Sequence, residues 1–273
     1  MPTTQATTVL IDTKPTTNGH ATATVQTAKS KRTVDASQRR SEIVIAALFL
    51  LTAATSMFGA FVLEPGLFAA DYLSGIFPNK ATLVSNALLW SFTHIGTVFI
   101  AVFAFPLLRK LDEALAVGYL ATRIIESAVM MVGIVAALLL IPLSQQFLAA
   151  AAPQNSWFQT LGDVLLQAKL LGLTLLSLPL LGLGGLLFTW LLFRFRLVPR
   201  LISVVGLIGY GLLIPVGIAG LFGLVDPSPT GNVAFLALPV AVFEIILLPF
   251  WLLFRGFKMP EQRNLSIQPA ASV

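Results

Sequence analysis

An all-α, polytopic transmembrane bundle with six spans is the fold class that this sequence predicts, and three observations predict it. Hydrophobic residues make up 56% of the 273 residues and charged residues only 11%, whereas soluble domains average about 25% charged. Six apolar segments follow residue 40, each long enough for a hydrocarbon core that takes roughly 20 helical residues to cross. Basic residues gather in short clusters at alternate ends of those segments, as they do in cytoplasmic loops. A mean hydropathy of +0.88 fits a chain whose lipid-facing surface stays apolar.

Residues 1–40 are rich in Thr and Ala and nearly devoid of large apolar side chains. Such a stretch cannot bury a core, so a disordered cytoplasmic tail is expected there. No apolar run falls within the first thirty residues, which excludes a secretory signal. A six-helix transmembrane domain is expected over 41–258, and a short cytoplasmic tail over 259–273.

The first segment runs from about Ile43 to Val62, between Glu42 and Glu64-Pro65-Gly66, and the second from about Leu83 to Leu108, before Arg109-Lys110. The third covers about Leu115 to Leu143, and the fourth about Val164 to Phe193, before Arg194 and Arg196. The fifth covers about Leu201 to Val225, and the sixth about Val233 to Phe254, before Arg255. The fourth is too long for the membrane: about 30 helical residues span ~45 Å against a ~30 Å core. Tilt, a kink at Pro179 or an interrupted helix would each resolve the mismatch. Gly182, Gly184 and Gly185 there, and Gly217, Gly220 and Gly223 in the fifth segment, permit close helix approach. They also suit a broken helix that frames a ligand.

If six helices alternate, Arg39, Arg40, Arg109, Lys110, Arg194, Arg196, Arg200, Arg255 and Lys258 share one side. Glu64, Asp71, Asp163 and Asp226 lie opposite, with Lys80 as the basic exception. Both termini are therefore expected in the cytoplasm. The 64–82 loop, with Phe68, Tyr72 and Phe77, suits a short interfacial helix. The polar 142–162 stretch reads as a loop that Trp157 and Phe158 anchor at the outer interface.

No cysteine is present. That excludes disulfides, thiolate metal sites and a cysteine nucleophile. Most basic residues after residue 36 sit in short clusters beside the apolar segments, so the net charge of +5 points to topology and to no nucleic-acid partner. No G-x-S-x-G or H-E-x-x-H pattern occurs, and His20 and His94 are the two histidines. No catalytic residue, metal site or cofactor is assigned.

Five polar residues stand inside spans, where a charge costs about 2.5–3.5 kcal/mol at the helix centre. Arg123 and Glu126 lie three apart on the third helix and share a face with Tyr119 and Met130. Glu244 is close to mid-span in the sixth helix, Lys169 in the outer half of the fourth, and His94 near the middle of the second. Together they suit one polar layer. It reads either as a small-molecule or ion site, or as a structural network in which Arg123 meets Glu126 or Glu244 and the remaining acid meets Lys169. A direct Arg123–Glu244 contact is expected. The ligand types of His94, Glu126 and Glu244 also suit a metal, but two cations in the same layer oppose a dication. Beyond the bilayer and such a ligand no partner is implied, and the sequence is silent on oligomeric state. The hairpins at Arg109–Tyr119 and Arg194–Tyr210 both end in Gly-Tyr, too short a match to argue duplication.

Several stretches are recognisable together: Gly118-Tyr119 through Arg123-Ile124-Ile125-Glu126, residues 197–209 from Leu197-Val198-Pro199-Arg200 to Gly209, and Glu244 ahead of Trp251-Leu252-Leu253 and Arg255-Gly256-Phe257. Asp71-Tyr72-Leu73 and Phe77-Pro78-Asn79 accompany them. With these, residues 43–258 resemble the bacterial integral membrane family catalogued as domain of unknown function 4386. The resemblance implies a six-helix inner-membrane protein and brings no activity with it.

Overall fold

The computed structural model describes residues 19–65, 67–68, 71–153, 156–172, 176–225 and 235–259, with side chains from residue 36 onwards. Residues 1–18 and 260–273, most of the two expected tails, lie outside the described residues. The chain divides into Met1–Arg39 and Arg40–Val273. The first unit contributes the opening backbone of α1 (Gly19–Phe58).

The described residues are helical, with no strand. The helices are α1, α2 (Tyr72–Ile76), α3 (Lys80–Leu108), α4 (Glu113–Ala149), α5 (Trp157–Leu170), α6 (Ser177–Arg194), α7 (Arg200–Leu221) and α8 (Leu238–Phe254). Five stretches are long and apolar enough to cross a membrane: Ala36–Leu63, α3, α4, α6 and α7. The chain is a multi-pass membrane protein. The sixth expected segment forms the shorter apolar α8, and its expected start at Val233 lies outside the described residues.

The fourth segment forms α5 and α6, with Leu171-Gly172 in a wider π turn and the Leu176 N–H reaching the Leu171 carbonyl at 2.9 Å. Gly172 sits against the backbone of α4, where an added Cβ would stand 2.7 Å from the Gly133 nitrogen. Two more π turns occur, at Gly59–Leu63 after α1 and at Val242–Leu247 within α8. The second precedes Pro249, which offers no N–H to the carbonyl of Ile245.

The 142–162 stretch departs from the expected loop. Helix α4 runs on through Pro142 to Ala149, and α5 opens at Trp157, leaving only residues 150–156 between them. Thirty-seven residues of α4 reach about 55 Å, longer than a ~30 Å hydrocarbon core. The expected interfacial helix is present as α2, but it docks on protein. Tyr72, Leu73 and Ile76 are buried with Leu140, Leu143 and Phe147 of α4. The Ser144 hydroxyl caps this contact, donating to the Leu73 carbonyl and accepting from the Phe77 N–H at 2.9 Å.

Helix α4 is central, packing on α2, α3, α5 and α6, while α7 packs on α6 and α8. Its start is fixed by Asp112, whose carboxylate accepts the Leu115 N–H at 3.1 Å, with Glu113 in the first turn. The larger apolar core lies where α1, α3, α4, α6, α7 and α8 meet, around Phe49, Leu108, Phe188, Leu192 and Leu252.

Candidate functional site

The polar residues of the spans separate into three groups. The innermost is centred on Arg123. The spacing of Tyr119, Arg123 and Glu126 puts all three on the face of α4 that meets α6 and α7. Arg123 donates from Nη1 to Glu126 Oε2 at 2.8 Å, and both side chains are buried. The guanidinium carbon lies 5.4 Å from the Tyr119 ring centre and 5.9 Å from that of Tyr210 on α7. It is thus held by two aromatic rings, whose π faces attract a cation most strongly when water is excluded. Tyr119 stacks on Phe188 of α6 with centroids 5.0 Å apart.

The direct Arg123–Glu244 contact that the sequence suggests is not among the ion pairs of the described residues. Glu244 accepts a hydrogen bond from the Tyr210 hydroxyl instead, so Tyr210 joins the acid of α8 to the cation of α4. Glu244 lies in the π turn of α8 and is part-buried, unlike the fully enclosed Arg123, Glu126 and Tyr210. Helix α6 makes room for the group. A Cβ at Gly185 would fall on the Tyr210 ring, and one at Gly184 would stand 2.7 Å from the Thr122 hydroxyl and 3.5 Å from Arg123 Nε. The glycines of the fourth segment therefore frame the polar group as well as letting helices approach.

The second group is on α3. Asn86, Trp90 and His94 lie four apart on one face, with the His94 ring stacked on Trp90 at 5.6 Å. Asn86 Oδ1, Trp90 Nε1 and His94 Nε2 are buried without a hydrogen-bond partner among the described residues. A Cβ on Gly59 would meet Asn86 Oδ1 at 2.8 Å, so the π turn after α1 closes over this face. Thr55 and Thr93 share a 2.8 Å hydrogen bond nearby, and the Ser127 hydroxyl donates to the His94 carbonyl at 2.7 Å.

The third group is at the opposite end from Arg109 and Arg194. Lys169 near the end of α5 pairs with Glu64 and lies 4.1 Å from the Phe68 ring centre. Tyr72 donates to Asp163 at 2.8 Å, and Gln159 donates to the same carboxylate oxygen at 3.1 Å. Burial and the Asp163 carboxylate push the Tyr72 hydroxyl above its usual range. The single layer expected from sequence is therefore divided in its contacts: Arg123, Glu126 and Glu244 belong together, while Lys169 and His94 have other partners. Among the described residues, His94, Glu126 and Glu244 form no metal-ligand set.

Two participants were not assigned to the site from sequence. Tyr210 carried a signal, because Gly118-Tyr119 and Gly209-Tyr210 are the paired motifs of the two hairpins, and their tyrosines hold Arg123 between them. Glu64 carried none, since it read as the acid that ends the first span.

No curated protein and no solved structure matches the chain. A family model described as "Domain of unknown function (DUF4386)" matches residues 44–256, and the chain belongs to that family.

Proposed function

We propose that this is a six-span protein of the bacterial inner membrane, with both termini cytoplasmic, whose interior group binds a proton at Glu244 and serves transport of a small solute. One observation carries the reading. The inner group contains two carboxylates, Glu126 and Glu244, and one cation, Arg123, because Lys169 is committed to Glu64. A network enclosed in low dielectric does not hold an unbalanced charge cheaply, so a proton or another monovalent cation completes it. The Tyr210 hydroxyl and the guanidinium favour the proton. Glu244 is the part-buried acid of the group, while the enclosed Arg123–Glu126 pair serves as the fixed structural half. The π turn of α8 that carries Glu244 is irregular helix of the kind frequent at functional sites.

Infrared spectroscopy of the purified protein tests the site. The carbonyl stretch of a protonated carboxylic acid should be present at neutral pH, vanish in Glu244→Gln and persist in Glu64→Gln. Its absence from the wild type, or its survival in Glu244→Gln, contradicts the proposal. Topology is tested separately, on a chain with no native cysteine. A cysteine at Ser74 should react with an impermeant thiol reagent in intact cells, and cysteines at Ser37 and Gln262 only after permeabilisation. External labelling of Ser37 would reverse the orientation.

A further inference from the structure

A concavity of about 450 Å³ opens between the α6–α7 turn and the segment after α8, lined by Arg196, Val198, Pro199, Arg200 and Lys258. Backbone bonds assemble it. The Lys258 N–H donates to the Leu197 carbonyl at 2.9 Å, and the Phe257 N–H donates to the buried Glu42 carboxylate at 2.9 Å. The first ties the chain after α8 to the α6–α7 turn and the second ties it to α1, and three cations meet at one rim. Arg194, one turn away, pairs with Asp112 at 3.8 Å. Arg196, Arg200 and Lys258 form no ion pair with any described carboxylate, and the N-terminus of the 22-residue α7 opens at the same place.

Arg196 takes an uncommon backbone conformation for a non-glycine, shared among the described residues with Ala151 after α4. It closes α6 in the left-handed region, with φ of +54°, and the following Leu197 N–H returns to the Leu192 carbonyl at 3.0 Å. At the ends of α7 and α8 the same left-handed position is taken by Gly223 and Gly256, as sterics favour. An arginine held in a glycine position directs a guanidinium to the rim at a conformational cost.

We propose that Arg196, Arg200 and Lys258 form a binding site for a phosphate group, supplied by the headgroup of an anionic phospholipid. Three cations around a concavity and an open helix N-terminus suit a phosphate oxyanion. The surroundings favour a lipid over free phosphate. Leu201 and Phe254, at the adjoining ends of α7 and α8, are 73% and 75% exposed, a surface that acyl chains would cover. Basic sites of this kind at the ends of spans recognise anionic headgroups.

The test uses the full chain in a non-ionic detergent, with phosphatidylglycerol, phosphatidylcholine and inorganic phosphate as probes. Native mass spectrometry should show phosphatidylglycerol retained over phosphatidylcholine. Arg196→Gly should weaken that retention about fivefold, as expected for one interfacial cation, with an unchanged or higher melting temperature because the turn relaxes. Arg196→Gly with Arg200→Gln and Lys258→Gln should abolish the preference. Equal retention of the two lipids, or full retention by the triple variant, overturns the site. Stabilisation by inorganic phosphate without any lipid preference overturns the headgroup assignment.

Discussion

Arg123→Leu should destabilise the purified protein by about 3–5 kcal/mol, the largest effect expected of any single substitution in the bundle. The change removes the one cation of the inner group and leaves the enclosed Glu126 carboxylate without its 2.8 Å partner. Uncompensated burial of a charge costs about that much. It also leaves Tyr119 and Tyr210 facing an aliphatic side chain where they had faced a guanidinium. Arg123→Lys should recover only part of the loss, because a single ammonium lacks the planar fork and the stacking surface that this position uses. Unfolding in mixed micelles, followed by circular dichroism, measures both. A loss below about 1 kcal/mol for Arg123→Leu would mean that water, not Glu126, satisfies the cation.

Gly185→Ala should cost about 3 kcal/mol, at the upper end of overpacking. The added methyl would occupy the space of the Tyr210 ring, and Tyr210 is fully buried between Arg123, Phe243 and Glu244. The ring has no free direction in which to yield, so α6 and α7 must separate or the Tyr210–Glu244 bond must break. Gly211→Ala is the matched control. Its nearest neighbour would be Leu186 Cδ2 at 3.8 Å, an ordinary contact, and it should change stability by less than about 0.5 kcal/mol. Equal melting temperatures for the two variants would show that the α6–α7 crossing is looser than described.

How much of this was legible beforehand depended on how local the physics was. The apolar segments and the basic residues that end them are local features, and Arg109 and Arg194 mark the ends of α3 and α6 as read from sequence. The Arg123–Glu126 pair was legible because i,i+3 spacing on a helix dictates proximity. The end of α4 was not, because Pro142 and the two glutamines look like a loop although the helix continues through them to Ala149. The partners of Lys169 and Glu244 were not legible either. Lys169 and Glu64 are 105 residues apart, and their meeting depends on how α5 leans over the 64–82 region. The interposition of Tyr210 depends on how closely α7 crosses α6, which Gly182 and Gly185 decide. The excess length of the fourth segment was legible as a mismatch that tilt, a kink or an interruption would each resolve, while the π turn at Leu171-Gly172 accompanies the Gly133–Gly172 approach, a tertiary fact.

The central claim is that Arg123 closes on Glu126 and reaches Glu244 only through Tyr210. A double-mutant cycle on Arg123→Leu and Glu126→Leu, read as unfolding free energy in mixed micelles, tests it most directly. Removing both partners leaves no stranded charge in that pair, so the double variant should be more stable than the two single losses predict, with a coupling energy above about 1 kcal/mol. Strictly additive losses would mean that the two side chains are not each other's partners, and the account of the inner group would fail.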